Sequence, residues 1–423
     1  MSGSNFQNHD LPEGHINVCQ ICGTSDLKFV LDLGYQVPCH TLLTLKQLNQ
    51  EEKTYPLRVY WCEDCCLAQI DYVVCPESLF YPDYPYQSGI TSILEKNLRG
   101  LGSIVKEKYN FCSKPLVVDI GSNDGTLLSG FKNLFFKVLG VEPTNIANIA
   151  NKAGIETIQN FFNEKLAREI VNNYGKANVI TASNVFAHIA PLGEMIRGVD
   201  HLLSEKGVFI IESHYLLDII EKVQFDSIYH EHLKYYSLKS IIRLLGYYNF
   251  KVVDVERIEN YGGSIRVVAA KGKSSPMAES VKSLLIEEEE SGLYHFSTYK
   301  DFSERTTRAK YALQELALEA FSQRKKFVGI GCPGRSSTLL NYCNIDKHLM
   351  PYIAEQSSSL KLGLHLPGKH IPIVDEAIMF QEQPEYAVML SWHYWKPIVN
   401  KLREKGLKSK IVIPLPEIEI LEP

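Results

Sequence analysis

Two pairs of cysteines near the amino terminus have the spacing of a metal site. Cys19 and Cys22 form one C-x2-C pair, and Cys62 and Cys65 form a second pair, with 39 residues between the two pairs. Zn²⁺ favours soft thiolate ligands in a tetrahedral arrangement, and a C-x2-C turn directs both sulfurs at one centre. We therefore predict a structural zinc ion on these four residues, since a closed sulfur shell leaves no position for a substrate.

The fourth ligand has alternatives, because seven of the ten cysteines lie between Cys19 and Cys75. Cys66 is adjacent to Cys65, and Cys39 and Cys75 are also nearby. Such crowding in a reducing compartment indicates metal binding more than disulfides. The competing interpretation is that these residues are reduced core cysteines.

A glycine loop with a distal acid predicts a nucleoside-binding site. The segment 116–128 has the pattern of a strand, a tight loop with Gly121 and Gly125, and the start of a helix, and Glu142 follows 21 residues beyond Gly121. A carboxylate at that position can accept hydrogen bonds from both ribose hydroxyls. Asp119 and Asp124 disfavour a pyrophosphate and favour a sulfonium cation, so we predict S-adenosylmethionine as the cofactor. The predicted cofactor-binding residues are Asp119, Gly121, Asn123, Asp124, Gly125, Glu142, Asn160, Ser183 and Asn184.

The succession Tyr229, His230, Glu231 and His232 follows a predicted strand and could carry acid–base chemistry. A histidine can act as a general base near neutral pH, a glutamate can orient it, and a tyrosine hydroxyl can stabilise an oxyanion. These are the groups needed to form an enolate. The alternatives are a metal pair, which the two-residue histidine spacing disfavours, and structural histidines in a core.

The elements that must position these residues are strands alternating with helices. We predict strands at 116–120, 137–141, 178–182, 207–212, 250–256 and 264–270, and a second series at 327–330, 351–354, 372–374, 386–390 and 411–413. Such alternation favours an α/β fold with a parallel sheet covered by helices on both faces. The predicted domains are a metal-organised module at 1–81, a central Rossmann-like domain at 82–275 and a second Rossmann-like domain at 276–423.

Length and composition fit a folded protein of about three domains at roughly 150 residues each. The chain has 423 residues, 45% of them hydrophobic and 22% charged, and its net charge of −5 lacks the basic surplus of a nucleic-acid binder. No stretch approaches the roughly 18 apolar residues that span a membrane. We expect a cytoplasmic protein that binds neither nucleic acid nor membrane.

Taken together, the motifs resemble those of three-domain S-adenosylmethionine-dependent sugar C-methyltransferases, which act on nucleotide-linked 4-keto-deoxysugars. The resemblance covers nearly the whole chain and includes the cysteine pairs, the glycine loop and the Tyr229–His232 segment. It also includes the segments 84–89, 184–188, 262–266, 338–343 and 366–373.

The resemblance implies a separate role for the central and the C-terminal domain. The central domain would hold S-adenosylmethionine, the C-terminal domain would help to bind the nucleotide sugar, and His232 would be the general base with Tyr229 and Glu231 as helpers. The chain would be a monomer or a weak homo-oligomer. The substrate-binding residues we assign are Tyr86, His230, Gly263, Arg266, Gly331, Arg335 and Ser336.

The C-terminal glycine loop supports a rival interpretation. Gly329, Gly331 and Gly334, followed by Glu355, also fit a dinucleotide fingerprint, so an NAD-dependent nucleotide-sugar oxidoreductase is an alternative. The family's usual Lys-Gly-Asn-Thr run is replaced around Arg335, which can still bind a phosphate in bidentate fashion. A zinc-bearing binding protein that does not catalyse a reaction is a further alternative.

Overall fold

The computed structural model describes residues 10–79, 92–111, 114–272 and 276–423. Tyr86 and the segment 84–89, which carry part of the resemblance, lie outside these ranges. None of the described helices is long and apolar enough to cross a membrane.

The N-terminal module consists of short antiparallel strands that present the cysteine turns. Its elements are β1 (Gly14–His15), β2 (Lys28–Gln36), a 3-10 helix (Gln47–Asn49), β3 (Tyr55–Cys62), β4 (Leu67–Ile70), β5 (Tyr72–Val73) and α1 (Pro76–Leu79). β1 pairs with β5, and β2, β3 and β4 form a sheet whose fourth strand is Lys234–Tyr235 of the central region. The central region therefore completes the N-terminal sheet.

The central region is an α/β unit around a seven-stranded sheet. Its helices are α2 (Ser92–Lys108), α3 (Thr126–Lys132), α4 (Ala147–Lys152), α5 (Glu164–Tyr174), α6 (Leu192–Leu202), α7 (Leu216–Glu221) and α8 (Leu238–Gly246). Its strands are β6 (Leu116–Ile120), β7 (Lys137–Val141), β8 (Thr157–Ile158), β9 (Ala177–Ser183), β10 (Leu203–His214), β11 (Lys234–Tyr235), β12 (Phe250–Ile258) and β13 (Ser264–Lys271), with 3-10 turns at Phe225–Ser227 and Asn260–Gly262.

The sheet order is β12-β13-β10-β9-β6-β7-β8, and β6 to β10 run parallel to one another. All five residues of β6 are buried, as expected for a parallel strand covered on both faces. β13, however, runs antiparallel to both β10 and β12, so the expectation of an all-parallel sheet is wrong for this strand. The physical reason is the link from β12 to β13, which is too short for the crossover that parallel strands require.

The C-terminal region begins with two helices and continues as a six-stranded α/β unit of order β16-β15-β14-β17-β18-β19. Its helices are α9 (Glu279–Glu290), α10 (Phe296–Ser322), α11 (Arg335–Tyr342), α12 (Glu376–Glu382) and α13 (Trp395–Glu404), with a 3-10 turn at Trp392–Tyr394. Its strands are β14 (Phe327–Ile330), β15 (Ile353–Glu355), β16 (Ile373–Asp375), β17 (Tyr386–Met389), β18 (Lys410–Ile413) and β19 (Glu419–Leu421). β14 to β18 are parallel and β19 is antiparallel to β18.

The three regions share one continuous hydrophobic core. Trp61 of β3 stacks on Tyr299 of α10 with ring centroids 4.7 Å apart, which joins the N-terminal module to the C-terminal helices. Helix α8, which follows the histidine-rich segment, begins with Ser237 as its cap, because the Ser237 hydroxyl accepts a hydrogen bond from Ser240 N at 3.0 Å. The end of that segment is thereby fixed.

Candidate functional site

The structure brings together the four cysteines that the spacing predicts. The sulfurs of Cys19, Cys22, Cys62 and Cys65 all lie within 4.8 Å of one another. The first pair lies in a turn closed by the hydrogen bond from Cys19 N to Thr24 O, and Cys62 ends β3. Four converging thiols are the donor set of a closed tetrahedral zinc site, so these residues fit a structural Zn²⁺.

Cys66 is directed away from this cluster. Its backbone has φ 53°, and its thiol lies 3.6 Å from the carbonyl oxygen of Glu63. The left-handed conformation at Cys66 turns the chain immediately after Cys65. The structure therefore favours Cys65 over Cys66 as the fourth ligand.

The glycine loop lies at the carboxyl end of β6, beside β9, where the strand order of the sheet reverses. Gly121 has φ 70°, and a Cβ there would lie 2.3 Å from Val185 Cγ2, so only glycine fits. Ligands of open α/β sheets bind at such a switch point. Asn123 and Gly125 continue the loop with φ 49° and 79°.

Glu142 follows β7 and is buried against the same loop. Its Oε2 accepts a hydrogen bond from Asn123 N at 3.0 Å, and its Oε1 accepts from Thr144 N at 2.9 Å. Asp124 Oδ1 accepts from Thr126 N at 3.1 Å at the start of α3. The loop and the distal acid therefore form one unit, as the sequence pattern predicts.

Asp119 is buried in β6 and bound to the neighbouring strand. The Thr181 hydroxyl donates to Asp119 Oδ1 at 2.6 Å. Burial raises the pKa of Asp119 to about 7, the Thr181 hydrogen bond opposes this, and the carboxylates of Glu142 and Glu212 raise the pKa further. The negative charge expected of Asp119 is therefore only partly developed near neutral pH in the ligand-free protein.

Polar atoms without partners mark the remaining edge of this pocket. Ser122 Oγ, Ser183 Oγ and Asn184 Oδ1 are buried and have no hydrogen-bond partner among the described residues. Buried polar groups are normally satisfied, so these atoms point to a ligand. Asn160 lies beyond β8 and is exposed. The loop, the acid and these unpaired atoms fit S-adenosylmethionine.

His232 is held in one tautomer within the core. Its Nδ1 lies 3.0 Å from the carbonyl oxygen of Ser227, and a carbonyl only accepts, so Nδ1 carries the proton and Nε2 carries the lone pair. Burial, followed by the neighbouring His188 and His214, holds the pKa of His232 well below its usual range. His232 is therefore neutral at neutral pH.

The two helpers assigned to His232 behave differently. The ring of Tyr229 lies 4.1 Å from that of His232, and burial raises the pKa of its hydroxyl well above the usual value. Glu231 Oε1 lies 2.6 Å from His40 Nδ1 and 3.4 Å from the Cys39 sulfur. Ser227 O therefore holds His232 Nδ1, and Glu231 binds His40 of the N-terminal module; the helper role assigned to Glu231 stays a prediction.

His230 is also placed differently from the prediction. Its Nε2 is 3.3 Å from Pro56 O, its ring packs 5.7 Å from that of Tyr55, and burial lowers its pKa to about 4. The side chain therefore faces β3 and packs there, and the substrate contact assigned to His230 stays a prediction.

A small cavity surrounds His232 and contains residues that the sequence interpretation missed. The space amounts to about 10 Å³, room for roughly one water molecule. Among them, His188 follows β9, and Ser213 and His214 end β10; a position at or beyond the carboxyl end of a strand is the signal that could have identified these three. The residues lining the cavity are Asn184, Ala187, His188, Ser213, His214, His232, Lys234 and Tyr235.

His188 and His214 make edge-to-face contacts with the ring of His232, at centroid distances of 4.7 and 4.9 Å. Burial lowers their pKa values to about 4 and about 3, respectively. The three imidazoles are therefore neutral together and surround the cavity without charge.

Two of the predicted substrate-binding residues have structural roles in the sheet. Arg266 is buried and binds Glu212 at 3.1 Å, Glu256 at 3.2 Å and Asn97 at 2.8 Å, which occupies its guanidinium. Gly263 has φ 135°, and a Cβ there would lie 2.2 Å from Asp218 Cγ. Packing within the protein accounts for both residues, and their assignment to substrate binding stays a prediction.

The C-terminal candidates lie at the start of α11. Arg335 is buried, with NH2 donating to Tyr261 O at 3.1 Å and NH1 lying 3.8 Å from Asp226 Oδ2. Ser336 Oγ is buried and has no partner among the described residues, and Gly331 has φ 73° beside Ser391. Arg335 therefore faces the central region, and its positive charge lowers the pKa of His214.

The amino terminus of α11 is covered, which bears on the dinucleotide alternative. A Cβ at Gly334 would lie 2.5 Å from His40 Nε2 and 3.3 Å from the Cys39 sulfur. Cys332 N donates to Glu355 Oε1 at 2.6 Å. A pyrophosphate needs to approach such a helix terminus closely, so the position that NAD would take is filled by the N-terminal module.

Comparisons with known proteins agree with this arrangement. Family models described as a putative zinc binding domain, a methyltransferase domain and a C-methyltransferase C-terminal domain match residues 19–80, 95–255 and 259–416, respectively. The C-methyltransferase NovU of Streptomyces niveus is 31% identical over 411 residues, which are 96% of this chain and 97% of NovU.

Solved structures similar to this chain include the PH0226 protein of Pyrococcus horikoshii OT3, with 14% identity, a TM-score of 0.36 and coverage of 45% of this chain and 97% of that one. Magnesium protoporphyrin IX methyltransferase of Synechocystis PCC 6803, solved with S-adenosylmethionine, has 14% identity, a TM-score of 0.33 and coverage of 42% and 79%. The identity and coverage shared with NovU show the family. The chain belongs to the S-adenosylmethionine-dependent C-methyltransferases that combine a zinc-binding, a methyltransferase and a C-terminal C-methyltransferase domain.

Proposed function

We propose that this C-methyltransferase acts on a nucleotide-linked 4-keto-deoxysugar and methylates a carbon adjacent to its ketone through an enolate. The observation that carries the proposal is the hydrogen bond between His232 Nδ1 and Ser227 O. It leaves a neutral imidazole with its lone pair on Nε2, in a cavity beside the predicted cofactor site.

His232 is suited to remove a proton from carbon. The ketone acidifies the adjacent C–H bond, and the neutral Nε2 accepts that proton while the electron pair moves to the ketone oxygen. Tyr229 stays protonated, so its hydroxyl remains a hydrogen-bond donor for that oxygen. Glu231 steadies the segment by binding His40.

Asp119, Glu142, Ser183 and Asn184 would hold S-adenosylmethionine at the switch point of the central sheet. When bound, the cofactor would supply a methyl group on a positively charged sulfur: a carbon nucleophile bonds to the methyl carbon as the bond from that carbon to sulfur breaks. The backbone around Gly121 would lie close to the cofactor, and the Glu142 carboxylate would accept hydrogen bonds from the ribose hydroxyls.

The sugar substrate is supported by the sequence motifs shared with sugar C-methyltransferases. On the C-terminal side, the positive charge of Arg335 adds to the burial that lowers the pKa values of His214 and His232. Because the cavity has room for roughly one water molecule, a hexose requires the surrounding segments to separate.

The test uses His232→Ala with a panel of nucleotide-linked 4-keto-deoxysugars. Wild-type protein should exchange the proton next to the ketone with deuterated water and, with S-adenosylmethionine, give a product heavier by one CH2 group by mass spectrometry. The variant should lose both reactions by about 10²- to 10⁴-fold and still bind S-adenosylmethionine by calorimetry.

His348→Ala is the matched control, since His348 is exposed and lies far along the chain in the C-terminal unit. It should retain wild-type rates. Undiminished proton exchange in His232→Ala would remove His232 as the base, and the absence of any methylated product from wild-type protein across the panel would refute the substrate class.

A further inference from the structure

Lys234 is a buried lysine that the chemistry described so far does not use. It lies in β11, and its side chain is among the largest fully buried ones in the described chain. Its Nζ donates to Ile189 O at 2.8 Å. No carboxylate among the described residues lies within 4.0 Å of Nζ, although buried lysines are normally paired.

The surroundings of Lys234 make an ammonium group costly. Burial lowers its pKa to about 7. The side chains that face the same cavity are Asn184, His188, Ser213, His214, His232 and Tyr235, none of which is a carboxylate. Glu231, the nearest carboxylate along the chain, is bound to His40. A buried lysine beside a cavity, with no carboxylate counter-charge and a pKa lowered by burial, is a candidate functional group, because an anion formed in the cavity would supply the missing partner.

The zinc-binding module fixes the position of Lys234. In the pairing of β11 with β4, Lys234 lies opposite Gln69. Gln69 Oε1 accepts from Gln20 N at 2.8 Å, and Gln20 Nε2 donates to Leu233 O at 3.2 Å. Gln20 lies between the first two zinc-binding cysteines, so the turn that carries them holds both the backbone at Leu233, directly before β11, and the Gln69 side chain.

We propose that Lys234 is a catalytic residue whose ammonium group stabilises the enolate oxygen, an inference that rests on the proposed function. When the C–H bond breaks, its proton forms a bond to His232 Nε2, its electron pair forms the C=C bond of the enolate, and the carbonyl π pair moves onto the ketone oxygen. An N–H of Lys234 donates to that oxygen as the negative charge develops. His232 is a weak base because of its burial, so proton removal depends on this stabilisation.

The first experiment compares Lys234→Met and Lys234→Gln with wild-type protein. Both variants should slow exchange of the proton next to the ketone and methyl transfer by about 10²- to 10³-fold, with zinc content and S-adenosylmethionine affinity unchanged. The glutamine retains a donor for Ile189 O but no charge. Recovery of the wild-type rate in Lys234→Gln would therefore show a structural role and overturn the proposal.

Thermal stability and the pH profile distinguish a catalytic role of Lys234 from a purely structural one. Lys234→Met removes a buried unpaired charge, so its melting temperature should equal or exceed that of wild type. The cation is present below about pH 7 and lost above it. Wild-type kcat/KM should therefore fall as the pH rises through this value, and the fall should be absent in both variants.

Lys132→Met is the matched control, because Lys132 Nζ also donates to a backbone carbonyl, that of Gly154 at 2.6 Å, but is exposed. It should keep the wild-type rate and pH profile. If borohydride traps a covalent sugar adduct on Lys234, the electrostatic role is overturned. If wild-type protein shows no exchange or methylation, the proposed function fails, whereas active Lys234 variants refute only the role of Lys234.

Discussion

Burial, more than charge pairing, sets the protonation states around the cavity. His188 and His214 have pKa values near 4 and 3, and His232 is lowered as well, so these imidazoles stay neutral. Lys234 is the cavity residue whose pKa falls near neutrality. The sequence could identify His232 from its neighbours in the chain, but it could not show these pKa values, because they arise from burial by distant segments.

At the residue scale, we predict that Asp119→Asn stabilises the ligand-free protein in a pH-dependent way. Burial raises the pKa of Asp119 from 3.8 to about 7, so the folded state binds its proton more tightly than the unfolded state. In wild type, the free-energy penalty for burying the ionised carboxylate is absent below about pH 4, grows as the pH rises and is complete above about pH 7. Asp119→Asn removes this penalty, so its free energy of unfolding should exceed that of wild type by at most about 4 kcal/mol.

Urea unfolding at pH 5 and pH 8 measures this gain for Asp119→Asn. The control is Asp200→Asn, since Asp200 is exposed and lies 3.3 Å from Lys271 in a surface ion pair. The free energy of unfolding of Asp200→Asn should differ little from that of wild type at both pH values. An equal gain for Asp119→Asn at the two pH values would contradict a titrating buried carboxyl group.

At the element scale, the strands of both α/β units were largely predictable. The apolar runs at 116–120, 137–141 and 327–330 coincide with β6, β7 and β14. β8 has only two residues, which is too short for a pattern to show. β11 could not be predicted either, because it forms a strand by pairing with β4, which is far away in the chain and belongs to the folded N-terminal module.

Because β11 pairs with β4 of the N-terminal module, the position of the histidine-rich segment depends on the cysteine turns of that module. We predict that Cys65→Ser loses most of its zinc, measured by inductively coupled plasma mass spectrometry, and that Cys66→Ser keeps the wild-type content. The reason is that the Cys65 sulfur lies in the four-sulfur cluster, whereas the Cys66 thiol contacts Glu63 O. Cys65→Ser should also lose activity, since Gln20 then no longer holds the β11 segment.

Zinc loss in Cys66→Ser with retention in Cys65→Ser would reverse the ligand assignment. Cys343→Ser serves as a further control, since Cys343 is a buried cysteine of the C-terminal unit outside the metal cluster. It should keep both zinc and the binding of S-adenosylmethionine.

At the scale of the whole molecule, the three regions meet around the histidine-rich segment. His40 of the N-terminal module contacts Glu231 of the central region and packs against Gly334 of the C-terminal loop. Thr338 of α11 donates to Ile228 O at 3.0 Å. Contacts between regions of this kind have no local sequence pattern, which is why the sequence did not predict that Glu231 binds His40 or that His230 packs against β3.

The buried Arg335–Asp226 pair holds the C-terminal unit against the central one. Trp392 Nε1 donates to Asp226 Oδ2 at 2.7 Å, and Arg335 NH1 lies 3.8 Å from the same oxygen. We predict that Arg335→Met and Asp226→Asn each destabilise the protein by about 3 kcal/mol, because each leaves a buried group without its partner. The measurement is guanidinium unfolding followed by tryptophan fluorescence. The double variant should regain much of the lost free energy of unfolding, and the control Arg308→Met, at an exposed arginine of α10, should have little effect. Additive losses in the double variant would show that the two residues act independently and that this pair does not couple the two units.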